Sequence, residues 1–406
     1  MLRSMFTAVS ALRNHQTYMN VVGNNIANVN TTAFKTGRIT FQDIMSQTVR
    51  GSSAPSATRG GINPAQLGLG MTMGAIDMIN GQGDLQPTGR TTDLAIQGDG
   101  YFIVSDGNVR YYTRDGAFDV DTDGYLGSPV TGLRVLGWNA VNGIVDATQP
   151  VEPVRIPMTS LISRSTTEVT ASGNLDAATA VSGTTTATLV VYDSLGVSHN
   201  ITLTFTKTAA NNWTWAASTT DASVTLGAST GTLVFNGSGQ LTAGGTGTLA
   251  MTYTNGAIAQ SVSVDFASLT QLAQSSAVDL SSQNGLPPGS INGFAISADG
   301  IVTGTYSNGL TQVLGQVALA QFANPAGLSR QGGNLFSLSA SSGQPVIGRP
   351  GDSGRGTIAS GTLEMSNVDL AQQFTNMIMA QRGFQANSRV ITTSDEMLQD
   401  LISMKR

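Results

Sequence analysis

Apolar residues recur every three or four positions at both ends of this chain and every second position through much of what lies between. At the start, Leu2, Met5, Val9, Leu12, Met19 and Ile26 step by threes and fours around two weak positions, Gln16 and Gly23. That stripe predicts an amphipathic helix over residues 2–27. Asn24, Asn25, Asn28 and Asn30 cluster where it fades, and asparagine favours a helix end over a helix interior. The second stripe runs through Leu370, Phe374, Met377, Phe384, Ile391, Leu398 and Ile402, with Gln381, Ser388 and Asp395 as polar interruptions. It predicts a helix of ~50 Å within residues 366–406, with Asn367 and Asp369 as candidate caps.

Between the helices the period changes. Residues 31–75 have little periodicity and many turn formers, which predicts an extended linker or small connecting region. Strand signals begin near residue 71. Residues 94–138 alternate and carry Asp-Gly turns at 115–116 and 123–124, so they read as hairpins. From 166 to about 270 short Thr- and Val-rich runs alternate with turns, the pattern of a sandwich or barrel-like domain. Near 285 the earlier rhythm returns: NGFAISADGIVTGTYSNG echoes GDGYFIVSDGNVRYYTRDG. The economical reading is an inner β domain built from 76–155 plus 285–362, with 156–284 inserted as an outer β domain. The fold class is therefore multidomain, with N- and C-terminal α-helices pairing as a coiled coil and mainly-β middle domains.

The polar face of the second helix is mostly Gln, Asn, Ser and Thr, whereas a solvated helix is normally more charged. Two helices alone make a poor core. Three arrangements fit: the helices dock on their own β domain, they mediate a dimer, or they pack against many copies in a polymer. The neutral face and the gaps in the stripes favour the polymer, in which lateral burial at ~25 cal/mol per Å² accumulates over neighbours.

Composition narrows the function. Only 11% of residues are charged and the formal net charge is -5, with no Lys/Arg cluster to meet nucleic acid or an anionic membrane. There is no cysteine, so disulfides, thiolate nucleophiles and Cys-based metal sites are excluded. No apolar run reaches the ~20 residues of a membrane span. Polar residues interrupt the N-terminal stripe, so no cleaved signal peptide is expected.

Candidate chemistry is thin. DVDTDG at 119–124 imitates the start of a calcium loop, but Val130 stands where the bidentate Glu belongs and strands flank it, so it reads as a hairpin turn. His15 and His199 are the only histidines. His15 lies beside the apolar stripe and reads as a packing residue, and His199 has no assignable acid partner. Trp213 and Trp215, two apart, share a sheet face and read as core. No enzyme, metal or cofactor is expected.

SALRNHQTYMNVVGNNIANVNTTAFKTGR, residues 10–38, resembles the N-terminal signature of the bacterial flagellar rod and hook proteins, through Asn24, Asn25, Asn28, Thr31, Phe34 and Lys35. The family often has Gly where this chain has Ala33. Residues 363–406 resemble its C-terminal signature, through Asn367, Asp369, Gln381, Arg382 and Asn387. The large insert, and YDSLGVSHNITLTF at 192–205, resemble the hook branch; rod members are expected to be shorter. A distal rod protein or a β-rich adhesin are the runners-up.

The resemblance implies a curved, hollow helical homopolymer acting as a universal joint that transmits torque from rod to filament. It implies as partners the distal rod protein, a hook–filament junction protein, a hook cap protein and the flagellar type III export apparatus, and an extracellular location reached without a cleaved signal. The inner helical core is expected to form at Met5, Val9, Leu12, Met19 and Ile26 against Phe374, Met377, Phe384, Ile391 and Leu398.

Overall fold

The computed structural model describes residues 2–55, 59–227 and 229–404. It has a helix at each end, α1 (Leu2–Ala27) and α2 (Leu370–Ser403), and strands between them. The chain divides into two compact units. The first holds residues 1–156, 295–303 and 313–406; the second holds 157–294 and 304–312. The return to the first unit thus begins at 295, with a second excursion at 304–312.

In the first unit, α1 is followed by β1 (Gly37–Asp43), β2 (Ser46–Arg50), β3 (Ala65–Gly68) and β4 (Met71–Met78). β1 pairs antiparallel with β4, and β2 with β3. Nearly half of the extended linker or small connecting region expected over 31–75 is therefore paired strand. It carries no alternation because β2 and β3 are exposed on both faces, and period two appears only where one face is buried.

The main sheet of this unit runs in the order Arg134–Asn139, Tyr101–Ser105, Arg110–Thr113, Leu335–Ser337, Ser329–Gly332. Residues 315–317 add to its first edge, Trp138 lying opposite Gln316. Segments from before residue 157 and after residue 312 thus contribute to one sheet. Its core is aromatic: Tyr112 meets Phe322 edge-on at 4.8 Å, and Tyr101 meets Phe322 and Phe336 at 5.7 and 5.8 Å.

The second unit is a sandwich of two five-stranded sheets. Ser198–Ala209 alternates exposed and buried along most of its length, as a half-buried strand must. Both sheets contribute to one core, in which Leu203, Phe205, Trp213, Trp215, Val264 and Phe266 are buried. One pairing is parallel, Glu168–Asn174 with Gln260–Thr270, and the rest of that sheet is antiparallel.

Candidate functional site: the helix pair and its root

α1 and α2 pack against each other in antiparallel fashion. Asn25, near the end of α1, donates through Nδ2 to Gln373 Oε1 near the start of α2 at 3.2 Å. Ten residues along each helix, the His15 ring lies over Gly383, where an added Cβ would fall 2.6 Å from Cε1. The buried positions of α2 are Gln373, Ala380 and Ser394, with Asn387 half-buried, all spaced by sevens. On α1 they are Ala8, Ala11, Val22 and Asn25, with His15 and Tyr18 half-buried. The face of α2 is therefore a heptad pattern of small and polar residues, while α1 also packs on β1 and β4, with Tyr18 edge-on to Phe41 at 5.8 Å and Asn14 Nδ2 donating to Met71 O at 2.7 Å.

The expected core residues flank this face. Met5, Leu12, Met19, Ile26, Met377, Ile391 and Leu398 are half-buried, while Val9, Phe374 and Phe384 are exposed. The side chain of Leu2 lies outside the described residues. The buried stripe of the pair thus sits one position before the expected one on much of both helices. Hydrophobicity marked the flank because the seam itself uses Ala, Gly, Asn and Gln. Phe6, Ile378, Met379, Met397 and Ile402 are also exposed, at 49–72%.

The root of the pair is built from the segments beside the helices. Lys35 Nζ donates to Glu364 Oε1 at 2.6 Å and to Gly81 O at 2.9 Å. Arg114 Nη1 reaches Glu364 Oε2 at 3.3 Å, and its Nη2 donates to Gly98 O at 2.7 Å. All three side chains are at most 4% exposed, so two cations share one carboxylate out of water. Burial pushes the Lys35 ammonium below the usual lysine range, against the opposing pull of Glu364. Glu364 also accepts from Gly83 N, and its carbonyl accepts from Ala33 N. Ala33 holds φ at +56°, the left-handed region that favours glycine.

Two asparagines complete the root. Asn367 Oδ1 accepts from Thr36 N and Oγ1 at 2.8 and 2.7 Å, and its Nδ2 donates to Ile79 O and Gly81 O. Asn25 exchanges two hydrogen bonds with the backbone of Gly37, at 2.8 and 3.0 Å. Of the two candidate caps, Asp369 is the N-cap of α2, accepting from Gln372 N at 3.1 Å, while Asn367 ties strand to strand. Phe34 is buried under the Arg330 guanidinium, which donates to Lys35 O.

The remaining motif residues act locally or face outward. Asn28 bonds back to Asn24, and Thr31 donates to Asn28. Asn387 bonds back to Gly383, while Gln381 and Arg382 are exposed on α2. Glu364 and Arg114 escaped sequence reasoning. The available signal was Lys35 itself, since a buried lysine needs a partner, but nothing local points to a carboxylate 329 residues away.

His199, in the second unit, does have acid partners. Its Nδ1 lies 2.6 Å from Asp221 Oδ2 and its Nε2 3.2 Å from Asp193 Oδ2. Asp193 also holds its own turn, accepting from Leu195 N and Val197 N. His199 and Asp193 are buried, at 1% and 0% exposed, while the Asp221 side chain is 32% exposed, and the cluster braces a turn. Among the described residues no group of three or more His, Asp or Glu is arranged to hold a metal ion.

Four family models match along the chain. Residues 5–35 match "Flagella basal body rod protein", and 95–177 match "Flagellar hook protein FlgE/F/G D1 domain". Residues 161–286 match "Flagellar basal body protein FlaE D2 domain", and 359–404 match "Flagellar basal body rod FlgEFG protein C-terminal". The chain is 40% identical over 446 residues to the flagellar hook protein FlgE of Borreliella burgdorferi and 37% over 468 residues to that of Treponema pallidum, with all of both chains covered in each case. It is also 33% identical over 409 residues to the flagellar basal-body rod protein FlgG of Bacillus subtilis, again with both chains fully covered.

Proposed function

The chain belongs to the flagellar hook protein family and is a structural subunit of the hook, and from that membership we propose how it assembles and works. Subunits polymerise into a curved, hollow helical tube through α1 and α2, which form the coiled-coil inner core. The tube acts as a universal joint that passes torque from rod to filament. The second unit is an outer domain inserted into the first. The subunit is exported by the flagellar type III apparatus without a cleaved signal and folds under a cap protein. It joins a distal rod protein at one end and a junction protein at the other, and it catalyses no reaction.

One observation carries the assembly reading. The helix pair spends its small residues on its own seam and leaves Phe6, Phe374, Ile378, Met379 and Ile402 exposed. A soluble monomer rarely leaves so much aromatic and aliphatic surface on one element without a use. Neighbouring copies would bury it at ~25 cal/mol per Å². The test is electron microscopy of the full-length chain under polymerising salt, beside the double variant Phe374→Gln, Ile378→Gln. Curved hollow tubes from the parent and none from the variant are expected. Straight tubes would assign the chain to the rod, and a parent that stays monomeric while the variant behaves identically would overturn assembly through the helices.

A further inference from the structure

Arg330 is a cation without a counter-charge. Its Cζ lies 5.3 Å from the centre of the Phe34 ring, and its Nη2 donates to Lys35 O at 2.6 Å. It forms no ion pair among the described residues. A guanidinium carries five N–H donors in a fixed fork, so most of them remain for another acceptor. Burial pushes the group below the usual arginine range, and no carboxylate pulls it back. The residue still keeps an exposed side, so a partner can reach it.

Arg330 lines a cavity of about 220 Å³ together with Phe34, Lys35, Gly332, Gly333 and Leu335 among others. No carboxylate is among its described lining residues. Lys35 does not compete for a ligand there, because its Nζ is committed to Glu364 and to Gly81 O. Gly333 and Asn334, at φ +57° and +59°, form the two-residue turn between the strands Ser329–Gly332 and Leu335–Ser337. A Cβ built on Gly332 would meet nothing within 4 Å, so that wall of the cavity is bare backbone. Leu335 is half-buried and leaves apolar surface to cover.

These features select a ligand. One free guanidinium matches one carboxylate, two parallel N–H groups to two oxygens. A phosphate dianion would bring a second negative charge with no cation to meet it. The volume is below the ~300 Å³ of pockets that hold drug-sized molecules, so the ligand is small. We propose that the cavity takes a carboxylate on a short aliphatic stem, its oxygens on the Arg330 fork and its stem against Leu335. A free short-chain carboxylate and a glutamate side chain from another copy share that chemistry. Occupancy tightens the link that Arg330 already makes between Ser329–Gly332 and the segment following α1. The site lies within the first unit of one chain, so it stands or falls apart from the polymer reading.

The test uses the full-length chain in two arms. In the monomer, isotope-labelled butyrate is titrated and followed by its NMR line width. Saturable binding is expected, with inorganic phosphate a poor competitor. Arg330→Gln is expected to weaken it roughly tenfold, the scale of a charge-assisted hydrogen bond. Leu335→Glu keeps Arg330 but tethers a carboxylate beside it, and is expected to abolish butyrate binding. In tubes, isotope-labelled and unlabelled chains carrying Arg330→Lys are mixed and treated with a carbodiimide, and peptide mapping finds the carboxylate joined to the new amine. An amide between copies assigns the occupant to another copy, and butyrate binding without one assigns it to a free carboxylate. Binding that Arg330→Gln leaves unchanged, equal competition by phosphate, or an amide formed only within one chain overturns the proposal. So does the absence of both butyrate binding and amide. If no tubes form, the monomer arm alone decides.

Discussion

Lys35 and Glu364 lie 329 residues apart in sequence and 2.6 Å apart in the fold, at the point where the chain leaves α1 and prepares to enter α2. Their pair makes the base of the helix pair depend on both ends of the chain at once. Because Arg114 shares the carboxylate, the two partners are not equivalent. Glu364→Gln leaves two buried cations with no counter-charge, and is expected to destabilise the first unit by about 3–5 kcal/mol. Lys35→Met leaves Arg114 and Glu364 balanced, and is expected to cost roughly 1–3 kcal/mol. Urea unfolding of the full chain checks the order, and equal losses would show that Arg114 does not compensate.

Ala33 supplies a second test at the root. It is 1% exposed, holds φ at +56° and donates its N–H to the Glu364 carbonyl. Glycine relieves left-handed strain worth about 1–2 kcal/mol. It forfeits a buried methyl worth ~0.8 kcal/mol and adds unfolded-state freedom worth about 0.4–1 kcal/mol. Ala33→Gly is therefore expected to shift stability by less than about 1 kcal/mol in either direction. Ala33→Val keeps the strain, adds a β-branch that the conformation rejects, and is expected to cost more than 2 kcal/mol. Thermal unfolding of both variants distinguishes a conformational constraint from a purely packed site, where glycine would be the worse substitution.

These residues show what a sequence reveals and conceals. The two helices were legible because a 3.6-residue stripe is a local signal, and the extent of α1 is the one its pattern predicts. Their pairing face was misplaced by one position because Ala8, Ala11, Ala380 and Gly383 carry almost no hydrophobic signal although they are what lets the helices meet. β2 and β3 were invisible because neither has a buried face to impose alternation. The acid partners of His199 were invisible for a different reason: Asp193 and Asp221 come from turns 6 and 22 residues away, and only the folded sandwich brings them to one ring. Lys35, Asn25 and Asn367 were marked by resemblance, but the reason each type is needed is a hydrogen-bond or charge partner distant in sequence.

His15 gives the first unit a sensitivity to mild acid. Burial lowers its pKa below the ordinary 6.5, and its Nδ1 has no hydrogen-bond partner among the described residues. In the window just below pH 6.5 the unfolded chain therefore binds more protons than the folded one, so stability falls as pH drops through that window. The seam between α1 and α2 is expected to loosen there, read as faster amide exchange along both helices at pH 5.5 than at pH 7.5 after correction for intrinsic rates. His15→Gln is expected to remove the difference. A pH effect that survives this substitution would place the titrating group elsewhere.

The second unit is expected to respond in a lower and separate window. Hydrogen bonds from His199 and Ser223 hold Asp221 at a pKa of about 2, against an ordinary value of 3.8. Burial pushes Asp193 up, but Asn255, the Val197 N–H and His199 more than offset it, leaving it below its ordinary value. A carboxylate with a depressed folded pKa contributes stability that is present above its unfolded value and is lost as pH falls through the folded one. The sandwich should therefore keep its full stability at pH 5 and lose it progressively from about pH 4 towards pH 2. Trp213 and Trp215 are buried in that core and report it by fluorescence during urea unfolding at pH 5, 3.5 and 2.5. His199→Gln removes the bond that lowers Asp221 most, so its stability should be lower at pH 5 and fall less steeply below pH 4. An unchanged acid slope in that variant would mean that other carboxylates set the acid limit of the unit.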